Sequence, residues 1–167
     1  MTTSANSPRV LIVMGSDSDL EVMERSAQTL KKYDVAYEMT IASAHRSPAR
    51  AAELAGGARE RGIRVIIAGA GHAAHLAGAM AAHSHLPIIG VPIDSSCLQG
   101  LDALLSTVQM PPGMPVATMA VGKPGATNAA LLAIQILALG DPDLEAVLVA
   151  AKADMARQVE AKAAKLQ

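Results

Sequence analysis

Val10-Leu11-Ile12-Val13-Met14-Gly15-Ser16-Asp17-Ser18-Asp19 is the stretch on which the reading of this chain turns. Five apolar residues run without a polar interruption, and three of them are β-branched. A strand facing water on one side would alternate; a continuous run marks a strand covered on both faces, as in a parallel sheet. Gly15 stops the run. Leu20, Met23, Ala27 and Leu30 then recur at helical spacing, with Glu21, Glu24, Lys31 and Lys32 on the other face. Strand, short loop and amphipathic helix make the first half of a βαβ unit.

The same alternation continues outward. Val35, Tyr37, Met39 and Ile41 alternate with their neighbours and predict a second strand. Ser47 suits an N-cap and Pro48 a first helical position, opening a helix to about residue 61 that Gly62 ends. Residues 65–68, 87–91 and 116–121 read as further strands, and 74–84, 101–108 and 125–138 as helices. Asp141 caps and Pro142 starts a last helix, about 142–166. This pattern predicts an α/β fold in three αβα layers. Its parallel five-stranded sheet, with right-handed crossovers and an extra C-terminal helix, is taken in the common order 2-1-3-4-5. One domain is expected at 9–167, after a disordered or extended segment at 1–8. The last helix follows a complete αβ unit, so two placements stay open: against a neighbouring subunit, or closing its own domain.

Composition narrows the function classes. Charged residues make up 17% of the chain against 51% hydrophobic, with a formal net charge of −1. So little charge to cover a surface favours an oligomer, although much of the apolar content is Ala, which hardly discriminates inside from outside. No basic run appears, which argues against a nucleic-acid partner. Tyr33 and Tyr37 are the only aromatics of the Phe, Trp and Tyr type, which argues against stacking on a base or a flavin. Residues 65–93 carry no Asp, Glu, Lys or Arg, yet Gly69, Gly71, Gly78 and Pro87 break the run. It reads as buried strand, loop, helix and strand, with no membrane span. Residues 1–9 lack an apolar h-region, so no secretory signal is expected and a cytoplasmic enzyme is the default. Cys97 is alone and is expected to be a small buried hydrophobe.

In a sheet of this order, ligands bind beyond the carboxyl ends of strands one and three. Three loops should meet there. Gly15-Ser16-Asp17-Ser18-Asp19 leads into a helix, where backbone N–H groups and Ser hydroxyls attract phosphate. Asp17 or Asp19 can accept from sugar hydroxyls, and simple helix capping accounts for the same residues. The loop lacks the Lys of a Walker motif and the third Gly of a dinucleotide fingerprint. Ser43-Ala44-His45-Arg46-Ser47-Pro48 sets an imidazole, which titrates near neutral pH, beside a planar fork for phosphate or carboxylate. Ala68-Gly69-Ala70-Gly71 has no side chain larger than methyl, so backbone can approach a ligand and leave room for something small and apolar. His72, His75, His83 and His85 allow a metal reading, but no Cys or carboxylate accompanies them and no metal is expected.

These loops, with Ala74-His75-Leu76, Gly90-Val91-Pro92, Leu104-Leu105-Ser106 and Gln109-Met110-Pro111, closely resemble the N5-carboxyaminoimidazole ribonucleotide mutase family. That family is the class I catalytic subunit of phosphoribosylaminoimidazole carboxylase in purine biosynthesis. The likeness runs in order from about Val10 to Leu139. It implies a flavodoxin-like fold, a homo-octamer, and no ATP, metal or organic cofactor. It also implies reversible conversion of N5-carboxyaminoimidazole ribonucleotide into 4-carboxy-5-aminoimidazole ribonucleotide, by decarboxylation and recarboxylation. The alternatives are a direct CO2-dependent carboxylase of aminoimidazole ribonucleotide and a non-catalytic nucleotide-binding module of the same fold. Direct carboxylases typically carry Lys after the histidine, so Arg46 favours the mutase. An ATP-dependent carboxylating synthetase is the functional partner the resemblance suggests.

Residue by residue, the resemblance gives His45 the acid–base role. Ser16 and Arg46 would hold phosphate, Asp19 the ribose, and Ser43 the region of the carboxylate. Ala70, Gly71, His75 and Leu76 would cover the imidazole and CO2 in a tight, dry pocket. Gly15, Asp17 and Ala44 complete the substrate-binding set. Two positions depart from the family, which usually reads Gly-Gly before Ala-Ala-His-Leu-Pro-Gly. Here His72 replaces the second Gly and Ala77 the Pro. An imidazole at 72 can crowd the pocket, demand other loop dihedrals, or point away to solvent. Ala77 loosens the loop.

Overall fold

The structure, a computed structural model, describes residues 7–166. In chain order its elements are β1 (Val10–Met14), α1 (Leu20–Lys32), β2 (Tyr37–Ile41), α2 (Pro48–Gly56), β3 (Val65–Gly71) and α3 (Leu76–His83). β4 (Ile88–Ile93), α4 (Leu101–Val108), β5 (Ala117–Thr118), α5 (Lys123–Ala138) and α6 (Pro142–Ala163) follow. All strand pairs are parallel, in the order β2-β1-β3-β4-β5. Of the segment expected at 1–8, residues 1–6 lie outside the described residues.

The continuous apolar run of β1 is buried along its whole length because both faces are covered. Val10, Ile12 and Met14 point to one layer, where Met23 and Leu30 of α1 and Ala126, Ala130 and Ile134 of α5 meet them. Leu11 and Val13 point to the other, against Ala51 and Ala55 of α2 and Leu76 and Met80 of α3. α4 joins this second layer: a side chain on Gly90 of β4 would meet Thr107 Cγ2 at 2.4 Å. Much of the Ala content is explained here. Gly125, Ala126, Ala129, Ala130 and Ala133 let α5 lie close to the sheet and α1, and all are buried. The buried Ser26 hydroxyl donates to the Ala126 carbonyl at 2.6 Å and ties the two helices.

Several boundaries differ from the sequence reading. β3 runs to Gly71, not Ala68, because Gly69, Ala70 and Gly71 pair with Val91, Pro92 and Ile93. The run read as a loop is the end of the central strand; without side chains it carried no strand signal. α2 stops at Gly56, where two successive glycines give the helix no reason to continue. β5 is cut to two residues, although Met119 N still donates to Gly90 O and Gly122 N to Pro92 O. Cys97 is exposed, in the loop after β4, and is no core residue. Its apolar neighbours in sequence belong to a turn at the end of the sheet.

α6 begins against its own domain. Arg9 Nη1 donates to Asp141 Oδ2 at 2.7 Å, and Asp141 caps Leu144 N. Leu144 is the buried residue of this helix, and 152–166 are exposed throughout. Its second half therefore closes nothing within the chain.

An added Cβ at Gly125 would stand 1.6 Å from the Ala120 carbonyl oxygen, a backbone atom that cannot swing away. Gly125→Ala should cost about 3 kcal/mol, the upper range for overpacking. Gly140→Ala, where nothing lies within 4 Å, should stay within about 0.5 kcal/mol of wild type. Urea unfolding of the two variants checks this, and equal midpoints would refute the packing argument.

Candidate functional site

Three turns meet at the carboxyl ends of β1, β2 and β3, around a cavity of about 540 Å³. Gly15, Ser16, Ser18 and Asp19 line one side, Ser43 to Arg46 a second, and Ala70 to Ala73, His75 and Leu76 the floor and third side. Ser95 closes the edge next to β4.

The first turn is locked by reciprocal capping. Asp19 Oδ2 accepts from Ser16 N at 3.1 Å, and Ser16 Oγ accepts from Ser18 N at 3.4 Å. Capping thus accounts for Ser16 and Asp19 here, as the local sequence alone permitted. Asp19 is nonetheless only 4% exposed. Burial raises its carboxyl above the ordinary value, while hydrogen bonds from the Ser16 and Gly15 backbone pull the other way. Asp17 differs. It is exposed, and the Ser16 hydroxyl, donating at 2.9 Å, holds it below the usual range. Asp17 does not line the main cavity; it faces an adjoining recess of about 430 Å³ with Arg46 and Ser47.

The second turn is held by its own serines. Ser43 N donates to Ser47 Oγ at 2.9 Å, and Arg46 N to Ser43 Oγ at 3.1 Å. Ser47 occupies the N-cap of α2, but its hydroxyl serves Ser43 and no helix N–H. Arg46 Nη2 reaches across to Gly15 O at 3.1 Å, so the guanidinium lies between the first two turns. His45 Nε2 sits 2.8 Å from His75 Nδ1, with the rings nearly perpendicular at 80°. His75 is the N-cap residue of α3 and leaves its ring free for this contact. Between two imidazoles at that distance one nitrogen donates and the other accepts, so the pair shares a single proton at the contact.

The floor is bare. An added Cβ at Gly71 would stand 1.8 Å from Ser95 Oγ. Leu76, buried to 2%, supplies an apolar wall beside Ala70 and Gly71. His45, Arg46, His72 and His75 are exposed in the single chain. The tight, dry pocket expected from the resemblance is therefore not built by one chain. No group of three His, Cys, Asp or Glu side chains converges to hold a metal among the described residues.

Of the residues read as catalytic or substrate-binding, with His72, all but Asp17 line this cavity: Gly15, Ser16, Asp19, Ser43, Ala44, His45, Arg46, Ala70, Gly71, His72, His75 and Leu76; His83 and His85 line a separate recess. Ala73 and Ser95 were not singled out, and Ser18 only as part of its loop. Ser95 belongs to no loop with a chemical signature. The strand order held the signal: β4 is the neighbour of β3, so the loop after it must also reach the cavity.

With that geometry in place, three comparisons locate the chain among known proteins. The AIR carboxylase family model matches residues 9–158. The chain is 54% identical over 167 residues to an N5-carboxyaminoimidazole ribonucleotide mutase of Pyrococcus horikoshii, covering 100% of this chain and 93% of that one. It is 55% identical over 140 residues to a phosphoribosylaminoimidazole carboxylase of Ogataea methanolica, covering 84% of this chain but 25% of that longer protein. The crystal structure of Treponema denticola PurE matches with a TM-score of 0.86 at 28% identity, covering 96% of this chain and 99% of that one.

Asp19 also makes the site a cost to folding. A carboxyl whose folded pKa is raised binds its proton more tightly in the folded state, so its contribution favours folding in acid. That contribution is lost as pH rises through the folded value. Asp19→Asn keeps an oxygen for Ser16 N and removes the buried ionisable group. It should be as stable as wild type or more so at pH 7, with the difference shrinking toward pH 4. Thermal melts across that range test this; a variant clearly less stable at pH 7 would sink it.

Proposed function

This chain belongs to the AIR carboxylase family, and we propose that it interconverts N5-carboxyaminoimidazole ribonucleotide and 4-carboxy-5-aminoimidazole ribonucleotide. The observation that carries this reading is His45, in contact with His75, on the wall of a cavity that also holds Arg46, Asp19 and the bare Ala70-Gly71 floor. Arg46, with Ser16 and Ser18 at the first turn, is suited to the phosphate. Asp19, a buried acceptor, is suited to ribose hydroxyls.

In the forward direction the N–C bond of the carbamate breaks, releasing CO2, and His45 gives a proton to the exocyclic nitrogen. The ring carbon then attacks CO2, forming the C–C bond. His45 removes the proton left on that carbon and returns to its starting state. Atoms and charge balance with no oxidant, reductant or co-substrate. One group serves as acid and then base, which suits an imidazole near neutral pH. The His75 contact gives the ring a fixed orientation and a partner for its other proton-carrying state. Ala70, Gly71 and Leu76 make a small apolar niche that holds CO2 against the ring, a proximity effect.

The niche is open in one chain, and further subunits are the natural closure. Leu98, Leu101, Leu105 and Val108 lie about half exposed along α4 and its approach, and Val147, Val149, Met155 and Val159 are exposed on α6. We take these faces as contacts of a homo-octamer, with α6 packed on a neighbouring subunit. The longer Ogataea methanolica relative supports a functional link to an ATP-dependent carboxylating synthetase, since its further length leaves room for a second activity.

His45→Asn should fold, bind aminoimidazole ribonucleotide, and lose interconversion by at least about 100-fold, the worth of a general acid–base group. An ultraviolet assay of the 4-carboxy product reads it, and turnover at the wild-type rate would remove His45 from the mechanism. Sedimentation should give a single species of eight copies, and Leu105→Glu should dissociate it. A monomer in the wild type would overturn the assembly.

A further inference from the structure

His72 is the cavity's one non-glycine residue with φ in the left-handed region, at 54°, among the described residues. Glycine occupies that region freely; a histidine there needs something to hold it. Its Nδ1 lies 3.2 Å from Ser95 Oγ. Ser95 in turn sits directly over Gly71, where a Cβ would meet its hydroxyl at 1.8 Å. The end of β3, the His72 ring and the first residues after β4 therefore form one wall. Asp19 stands at the same strand end: a Cβ added at Gly15 would lie 3.5 Å from Asp19 Oδ2 and 3.7 Å from Ala70 Cβ. With Nδ1 engaged, Nε2 is the ring's remaining polar atom, and it has no hydrogen-bond partner among the described residues. The ring is exposed and lines the cavity.

We infer that His72 is a substrate-contacting residue of this chain: Ser95 orients the ring through Nδ1, and Nε2 meets an oxygen of the bound ribonucleotide on the Asp19 side. The inference rests on the ribonucleotide reading above. It makes His72 a determinant of affinity, with no part in the proton transfers assigned to His45.

Three variants separate the two ring nitrogens. His72→Asn tolerates the left-handed backbone and keeps an atom where Nδ1 stands, but has nothing at Nε2. His72→Gln carries its amide toward the position of Nε2. His72→Gly frees the backbone and removes both. The probe is aminoimidazole ribonucleotide, titrated calorimetrically, with KM and kcat measured beside it and melting temperatures as the folding control. His72→Asn and His72→Gly should raise Kd and KM about 3- to 10-fold, one uncharged hydrogen bond, with kcat changed less. His72→Gln should recover most of the loss. Wild-type affinity in His72→Asn together with loss in His72→Gly and Ser95→Ala would make the ring a tether only and overturn the inference. Wild-type affinity in both His72→Asn and His72→Gly would overturn it too. A wild-type chain that does not bind aminoimidazole ribonucleotide at all is a different result, and would overturn the functional reading with it.

Discussion

At Gly69, Ala70 and Gly71 the central strand runs between its neighbours with nothing larger than a methyl group, and the loops around the cavity take their positions from that bareness. A side chain on Gly69 would strike Met23 Sδ at 2.2 Å, and one on Gly71 would strike Ser95 Oγ at 1.8 Å. The close seat of α1 over β3 brings the first turn down to the strand end, where Gly15 N donates to Gly69 O. The close seat of Ser95 brings the fourth strand's loop in from the other side. The His45 turn arrives from β2, the strand on the other side of β1, and is pinned to the first turn by Arg46. Larger residues along this strand end would push these turns apart before any ligand arrived.

The site carries strain and desolvation that the rest of the fold offsets. Asp19 buries a carboxyl whose desolvation raises it above the ordinary value, and His72 holds a left-handed backbone. Neither improves folding. They sit on a sheet whose strands β1 and β3 are buried along most of their length and whose Ala-lined α5 lies close against it. A rigid platform of that kind holds groups at a spacing that loops alone do not maintain.

The fold was legible wherever side chains advertised their surroundings. VLIVM has no polar face to offer water, so its strand had to be covered twice. The Leu20, Met23, Ala27 and Leu30 stripe shows which side of α1 turns inward, and Met23, Ala27 and Leu30 are buried where it predicts, while Leu20 stays half exposed. The reading failed where side chains are missing or where neighbours in sequence mislead. Gly69-Ala70-Gly71 shows neither period nor propensity, so its strand character appears only through pairing with β4. Cys97 follows an apolar strand and precedes Leu98, yet the chain has already left the core. Asp17 and Asp19 look equivalent in a row of alternating Ser and Asp. One is exposed and lowered by the Ser16 hydroxyl, the other buried and raised, because Asp19 turns inward to the Ser16 backbone N–H.

By itself the sequence determined the succession of strands and helices, the parallel sheet covered on both faces, and the three turns that meet once that sheet takes its common order. Those follow from hydrophobic period, turn chemistry and the rule that parallel strands cross over right-handed. Tertiary structure alone decided which atoms face one another there: His45 Nε2 against His75 Nδ1, Arg46 against the Gly15 carbonyl, His72 against Ser95. It also left the outer half of α6 uncovered within the chain. The reason is the range of the forces. Burial is read from residue type along a few turns of chain. A hydrogen bond between residues 30 apart depends on an ångström of placement that only the packed sheet supplies.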